Sequence, residues 1–531
     1  MRLNIRTFAT CCALLLLLHM HVAAQIPAGS VPATPSTMYY AGGSCAFYSS
    51  TGALLMSVNA AEAQWSCSPA RAAWAYVTPT SGGYYEFPSY TTEPMREERW
   101  KLLSSFFLPT NDTIYSEYVL LDGVGSTAPL LYHPRSIVRI DNYDGSDVFT
   151  LGSDVTVEGR MIKQQSARVS RTVSITPGKR GNGSPNGLMN TSHTSWTRVT
   201  YVPDRSTWTV PESVFPPRTV HPLPGVEGIL ARREPLTIQA VGMSITSGHN
   251  VSGGLVDQKN FPPAAPYMRG YCELLADELN AQGRSAVTLH NSSCSGKTID
   301  WAANYIVPLA VPNAPDLIIL DMGMNDIWGQ TTPAQFRRNA QRCIDSVRKH
   351  LPNTEFLLLA NMIPDTAGAG APRDGAAFLR AFAAELRSLT TQRGVAMLDM
   401  TTLSEAVFAR KGVESCLANA LHPNDYFARW YAQAMLAFIE SPATSVDQVR
   451  DVTNLTVRED VDAVALSGLP AGCRGTMSLI DLRGTIIHQT SIDALNDEST
   501  RIRIPQLSAG LYMIVVELSN GGVLRAMFHS L

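Results

Sequence analysis

The chain has 531 residues, with 42 Lys and Arg against 45 Asp and Glu and a formal net charge of −3. That balance gives no basic footprint for nucleic acid and no polybasic address for an anionic membrane. A hydrophobic fraction of 45% excludes wholesale disorder. The length predicts about three globular units rather than one.

The first residues read as a secretory leader. Arg2 and Arg6 supply a positive start, Ala13 to Leu18 an apolar centre, and Val22-Ala23-Ala24 a small-residue cleavage site before Gln25. The apolar run is too short to cross a bilayer, which takes about 20 residues. No later segment is long and apolar enough, so no membrane span is expected. Cys11 and Cys12 would leave with the leader (1–24), keeping Cys45, Cys67, Cys272, Cys294, Cys343, Cys416 and Cys473. None of these forms a C-x-x-C pair and no His cluster joins them, which argues against a zinc or redox site. Export permits disulfides, and proximity in sequence suggests Cys45 with Cys67 and Cys272 with Cys294.

From 25 to 228 the pattern is strands and turns. Tyr115–Leu121, Ser136–Ile140, Val155–Ile162 and Arg198–Val202 are rich in β-branched and aromatic residues. Asn142-Tyr-Asp-Gly-Ser146 and Lys179-Arg-Gly-Asn-Gly183 punctuate them as turns. An antiparallel β-sandwich follows from that spacing, with a Pro-rich exit from Val214 to Pro224.

From 229 to 442 short apolar runs alternate with helical patterns. Leu236–Val241, Ala286–Leu289, Asp316–Leu320, Glu355–Ala360 and Val395–Leu398 read as strands of a parallel sheet buried on both faces. Thr332-Pro333-Ala334-Gln335 is a capping-box start for a helix. Phe336, Ala340, Ile344, Val347 and Leu351 form its apolar face, with Arg337, Arg338, Arg342 and Arg348 facing away. From 443 to 531 the pattern returns to β, with Gly475, Gly484, Gly510 and Gly521-Gly522 expected at turns of a small sandwich.

The chemistry gathers at strand exits of the middle region. Ser244 lies in Gly242-Met-Ser-Ile-Thr-Ser-Gly248 directly after the first strand, at the carboxyl edge where open α/β folds bind ligands. The second strand runs into Asn291-Ser-Ser-Cys-Ser-Gly296-Lys297-Thr298. A phosphate-cradling P-loop would need Gly at 291, so Gly-Lys-Thr is a decoy and the Gly296 N–H is read as pointing to the same edge as Ser244. Gly323-Met-Asn325-Asp326 ends the third strand, and the Asn325 amide suits an oxyanion donor. Asn419-Ala-Leu-His422-Pro423 lies in the loop before the closing helix, within reach of that edge as a general base. Each feature is weak by itself; together they supply nucleophile, oxyanion donors and base.

These residues resemble the four blocks of the SGNH (GDSL-like) hydrolases: Ser244 in the first, Gly296 in the second, Gly323-Met-Asn325-Asp326 in the third, His422-Pro423 in the last. The resemblance implies a flavodoxin-like parallel sheet with helices on both faces and a serine esterase or lipase-like acyl hydrolase. It implies Ser244 as nucleophile and His422 as base. Ser244, Gly296 and Asn325 would form the oxyanion hole. Two positions depart from the family. Met243 stands where Asp usually precedes the Ser, and Asn419 stands where an Asp usually orients the His. Asn419 can orient the ring without supplying charge; Asp425 or a backbone carbonyl are alternatives, as is a Ser–His dyad.

The β-rich first region, with Val199-Thr-Tyr-Val-Pro-Asp204 and Trp208, is similar to carbohydrate esterases that join an N-terminal sandwich to such a hydrolase. An acetyl or other small acyl ester on a glycan is the implied substrate. The end of the chain resembles the sorting domain of the type IX secretion system, through Leu507-Ser-Ala-Gly510-Leu-Tyr512-Met-Ile-Val-Val516 and Gly521-Gly522-Val-Leu-Arg525. That implies the secretion machinery as a partner and an address outside the cell or on its surface. No metal or organic cofactor is expected. The competing expectation is an inactive glycan-binding or adhesion protein.

Overall fold

The computed structural model describes residues 113–169, 195–214 and 222–440, broken only at 255–262, 284, 329–330 and 367–370, with short stretches between 27 and 96 and the strands between 456 and 530. The predicted leader, most of the Pro-rich exit, the 179–183 turn and Gly484, Gly521 and Gly522 lie outside these residues. The chain divides into two compact units, Met1–Pro216 with Pro222–Ser441, and Pro217–His221 with Pro442–Leu531.

The first unit opens on strands β1 (Val31–Pro32), β2 (Thr37–Tyr40), β3 (Cys45–Tyr48), β4 (Leu54–Val58), β5 (Ser66–Cys67), β6 (Trp74–Val77) and β7 (Tyr85–Pro88). They pair antiparallel in the orders β1-β6-β3-β4 and β5-β2-β7. Next come β8 (Ile114–Leu120), β9 (Thr127–Pro129), β10 (His133–Asn142), β11 (Val155–Glu158), β12 (Met161–Gln164) and β13 (Trp196–Asp204). These form two more antiparallel sheets, β10-β13-β8 and β11-β12-β9. The single strand expected over 155–162 is instead a tight hairpin. Its chain reverses at Gly159, where φ is +58°, a conformation that lacks the Cβ penalty only in glycine.

The middle region holds α1 (Pro224–Arg232), β14 (Leu236–Gly242), α2 (Tyr271–Ala281), β15 (Val287–Asn291), α3 (Ile299–Ala310), β16 (Leu317–Met322), α4 (Pro333–Arg348), β17 (Glu355–Ala360), α5 (Gly375–Leu389), β18 (Val395–Asp399), α6 (Met400–Lys411) and α7 (Asp425–Glu440). The five strands are parallel in the order β15-β14-β16-β17-β18, the flavodoxin-like arrangement, and each overlaps a strand read from sequence. Every residue of β16, β17 and β18 is buried, as continuous apolar runs covered by helices on both faces require. Helix α2 packs on α7, with Tyr271 stacked on Tyr431 at 4.9 Å. Helices α3, α4 and α5 pack in a row, with Phe336 stacked on Phe382 at 4.3 Å. The predicted capping box is present at the start of α4: Thr332 accepts from the Gln335 N–H, and Gln335 accepts from the Thr332 N–H.

Strand β8 joins the antiparallel layer to the α/β layer within this unit. Lys411, at the end of α6, places its Nζ 2.6 Å from Glu117 Oε1, and neither side chain is solvent-exposed. Glu117 also accepts from the Leu131 N–H at 2.7 Å and the Tyr201 hydroxyl at 2.7 Å. Buried Arg429 of α7 donates to the carbonyls of Tyr115 and Ser116. A charge this deep is tolerated because its hydrogen-bonding capacity is used.

The second unit pairs β19 (Thr456–Asp460), β20 (Ala463–Ser467) and β23 (Thr500–Arg503) in one antiparallel sheet. A second contains β22 (Ile486–Asp493), β21 (Arg474–Asp481), β24 (Gly510–Leu518) and β25 (Val523–Ser530). Val464, Leu466, Met477, Leu479, Ile514 and Val516 make its core. Two glycines expected at turns are strand residues instead. Gly475 pairs within β21 on both sides, with Ile492 and Leu518, and Gly510 opens β24 paired with Ser530 of β25.

The disulfide expected between Cys272 and Cys294 is absent; both are buried free thiols. Cys272 sits in the first turn of α2 and Cys294 in the loop beyond β15, and nearness in sequence does not align them. Burial pushes the Cys272 thiol well above its ordinary pKa, so it behaves as a small apolar side chain. The Cys67 side chain lies outside the described residues.

Candidate active site

The sheet order reverses direction between β14 and β16, and the loops leaving those two strands form the site. Beyond β14 the chain folds into a tight turn: the Ser247 N–H donates to the Met243 carbonyl and the His249 N–H to the Ser244 carbonyl. Thr246 returns over Gly242 so closely that a Cβ at 242 would lie 2.0 Å from its Oγ1. Only glycine fits there. The Thr246 hydroxyl accepts from the Met243 N–H at 3.2 Å and donates to Asp321 Oδ2 at 2.8 Å.

Ser244, predicted from sequence, is 7% exposed, and its Oγ lies 2.8 Å from His422 Nε2. His422 comes from the loop before α7, which is closed by a bridge between Leu417 and Pro423. Asn419 Oδ1 accepts from the backbone N–H groups of Leu421 and His422, both at 2.9 Å, and lies 3.0 Å from His422 Nδ1. Its Nδ2 donates to Asn250 Oδ1 at 3.1 Å. These contacts fix which end of the Asn419 amide faces the ring. With an acceptor at Nδ1, the imidazole proton belongs on Nδ1 and the Nε2 lone pair faces the Ser244 hydroxyl. Burial, and then the neighbouring His249, hold the His422 pKa well below the ordinary imidazole value, so the ring is neutral at neutral pH.

Asp425, the alternative orienter, does not touch His422. Its carboxylate accepts from the Ser252 N–H at 2.7 Å and the Tyr118 hydroxyl at 3.3 Å.

The second and third loops are tied to each other. Gly296 has φ +75°, with no atom within 4 Å of where a Cβ would sit, so backbone conformation rather than crowding calls for glycine. Asn325 Nδ2 donates to the Lys297 carbonyl at 2.9 Å and lies 3.7 Å from the Met243 sulfur. Asp326 accepts from the Ile299 N–H at 3.1 Å, capping α3 from the neighbouring loop, and from the Thr331 hydroxyl at 3.2 Å. Burial raises its pKa to about 7 against these donors.

Asp321 was not anticipated. It is fully buried at the end of β16 and accepts from Thr246, from the Tyr271 hydroxyl at 2.6 Å and from Asn361 Nδ2 at 2.6 Å. Burial raises its pKa to about 6. One acidic residue inside the apolar run Leu317-Ile-Ile-Leu-Asp-Met322 was the available signal. Asn291, which excluded the P-loop, instead donates to the Thr246 carbonyl at 3.0 Å and to Glu273.

A family model described as the GDSL-like Lipase/Acylhydrolase family matches residues 240–430, a span holding Ser244, Gly296, Asn325, Asn419 and His422. Residues 240–430 are a GDSL-like lipase/acylhydrolase domain. The chain therefore carries an ester-hydrolase domain. A second model, a secretion system C-terminal sorting domain, matches residues 461–527 of the second unit and indicates type IX export to the cell surface or beyond. No curated protein matches the sequence. Among solved structures, a two-domain esterase active on acetylated mannans is 14% identical, with a TM-score of 0.34 over 60% of this chain and 98% of its own. A putative GDSL-like lipase from Parabacteroides merdae is 16% identical, with a TM-score of 0.32 over 40% of this chain and 96% of its own. The psychrotrophic esterase EstA from Pseudoalteromonas sp. is 20% identical, with a TM-score of 0.30 over 39% and 97%. Among the described residues no helix is long and apolar enough to cross a membrane.

Proposed function

We propose that this GDSL-like domain is a serine esterase that removes O-acyl groups, chiefly acetyl, from carbohydrate. The observation that carries the mechanism is the 2.8 Å contact between Ser244 Oγ and His422 Nε2. His422 takes the Ser244 proton as Oγ attacks the acyl carbon. The collapsing tetrahedral intermediate expels the alcohol, which leaves with that proton. Water deprotonated by the same imidazole then attacks the acyl-enzyme and releases the acid. The backbone N–H groups of Ser244 and Gly296 and the second Nδ2 hydrogen of Asn325 receive the oxyanion, an interaction of several kcal/mol in acyl transfer. Asn419 holds the productive tautomer. In this mechanism no step calls for a metal or organic cofactor.

The carbohydrate side of the ester is supported by Trp328. Trp328 is 49% exposed on the loop that bears Asn325, and its backbone N–H donates to the Asn325 carbonyl at 3.2 Å. An uncovered aromatic face beside a polar site suits the apolar face of a sugar ring. In this reading the chain is a leader (1–24), a β-rich accessory domain (25–228), the hydrolase (229–442) and a sorting domain (443–531).

The test is hydrolysis of a chromogenic acetate ester by the purified full-length chain, beside Ser244→Ala and His422→Ala, followed by acetate release from acetylated polysaccharides. Equal rates from wild type and Ser244→Ala would refute the mechanism. Activity on the small ester without acetate release from any glycan would refute the substrate class.

A further inference from the structure

A second imidazole lies against the first. His249 belongs to the turn that begins at Ser244, and its N–H donates to the Ser244 carbonyl at 2.9 Å, which ties its position to that of the hydroxyl. Its ring stacks on His422 with centroids 4.5 Å apart and planes inclined by 23°. Its Nδ1 is enclosed without a hydrogen-bond partner. The next residue, Asn250, accepts from the Asn419 amide. Two consecutive residues of the serine turn thus touch the face of the His422 ring and the amide at its edge.

The two hydrogen bonds of His422 lie at opposite ends of its ring, toward Ser244 and Asn419. They fix two points of the plane and leave the ring free to tilt about the line joining them. The χ2 torsion of histidine is broad and offers little resistance to that tilt. We propose that His249 is a positioning residue, a flat wall that holds the His422 imidazole in the plane joining Ser244 Oγ to Asn419 Oδ1.

This inference rests on His422 acting as the base. The wall also bears on the proton that His422 receives during attack. Asn419 contributes no charge, so the π face of a neutral ring at 4.5 Å is what the developing imidazolium meets. Burial lowers the His249 pKa to about 4 and keeps that face uncharged through the neutral range. Burial is what acts on His249; its chain neighbours Gly248 and Asn250 are uncharged, and His249 is the titratable group acting on His422.

Three variants of the full-length chain test the wall: His249→Phe keeps a flat ring, His249→Leu fills the space without one, and His249→Ala opens it. With a chromogenic acetate ester, His249→Phe retains kcat within about threefold, while His249→Leu and His249→Ala lose about tenfold or more in kcat at unchanged KM. In His249→Ala the acid limb of the pH profile also moves to higher pH, because water reaches and stabilises the imidazolium. Wild-type kcat in His249→Leu, or a His249→Phe loss as large as that of His249→Leu, overturns the wall. If His249→Ala does not fold, the Phe and Leu comparison still decides. Wild-type activity in His422→Ala would instead remove the base itself, an outcome distinct from failure of the wall.

Discussion

Replacing Asn419 by Asp restores the carboxylate that this site lacks, and the structure sets the size of the gain. In the proposed mechanism the imidazolium formed during attack donates Nδ1–H to the neutral amide oxygen of Asn419, which lies 3.0 Å from Nδ1. A hydrogen bond with a charged partner contributes about 1.5–3 kcal/mol net, and pairing the imidazolium with a carboxylate in place of a neutral amide moves it from the low to the high end of that range. The difference, about 1–1.5 kcal/mol, corresponds to roughly 5–15-fold in kcat. The cost of the change is small. An Asp keeps the acceptor for the Leu421 and His422 N–H groups, and only the Asn419 donor to Asn250 is lost. Asn250 Nδ2 is buried without a partner, so a half-turn of that amide presents a donor to the new carboxylate. Asn419→Ala is the opposing control: it removes tautomer control and drops kcat by about 100-fold, less than the 10⁴ seen where a serine-protease triad is forced into the wrong tautomer. The assay is kcat on a chromogenic acetate ester across pH, with thermal unfolding to verify the fold. Asn419→Asp with wild-type or lower kcat and an unchanged Tm would refute the claim that the missing charge limits turnover.

The wild-type acid limb of kcat/KM should lie below the ordinary imidazole range, because burial and His249 hold the His422 pKa down, and Asn419→Asp should move it up; a limb at the ordinary value would contradict this. Asp321, whose folded pKa of about 6 exceeds the unfolded carboxylate value, contributes stability that is fully present below pH about 4 and is lost as pH rises through about 6. That slope is worth about 3 kcal/mol, and Asp321→Asn should flatten it in denaturant titrations at pH 4 and 7. Lys411→Met leaves Glu117 buried without its cation and should cost about 3–5 kcal/mol in unfolding, whereas a loss below about 1 kcal/mol would show that the pair does not hold the two layers together.

The parallel sheet was legible because its strands are continuous apolar runs between amphipathic helices, a pattern that local composition alone can signal. The antiparallel elements were read less well. The hairpin at 155–164 looked like one strand because a two-residue reversal at Gly159-Arg160 interrupts the β-rich run so briefly. Gly475 and Gly510 were placed at turns because glycine marks turns more often than strands, and only cross-strand pairing, which joins distant residues, decides otherwise. At the site, Ser244, Asn419 and His422 were named and the structure brings them within hydrogen-bond distance of one another in sequence of contact. Asp321 and His249 were missed for a common reason. Each acts through a residue far away or across a ring face, and no spacing rule encodes either relation.

Met243 and Asn419 flank the Ser244–His422 pair, and each removes a carboxylate that this kind of site usually holds. Among the described residues no acidic side chain hydrogen-bonds to Ser244, His422, Asn419 or Asn325. Asp321, Asp326 and Asp425 lie one layer out, where they accept from Thr246, from the start of α3 and from Ser252. Their carboxyl groups accept hydrogen bonds that fix loops rather than the imidazole. The inner layer is uncharged: a thioether, three amides, a hydroxyl and two imidazoles, arranged so that the tautomer and ring plane are set without an ion. Such a site gives up transition-state charge stabilisation and keeps geometry. It also keeps the base unprotonated at lower pH than a carboxylate-backed histidine, since nothing anionic raises the affinity of His422 for a proton. Under the proposed mechanism, a slower esterase with an extended acidic range is the expected outcome of that exchange. Asn419→Asp and the acid limb of wild type probe its two sides separately.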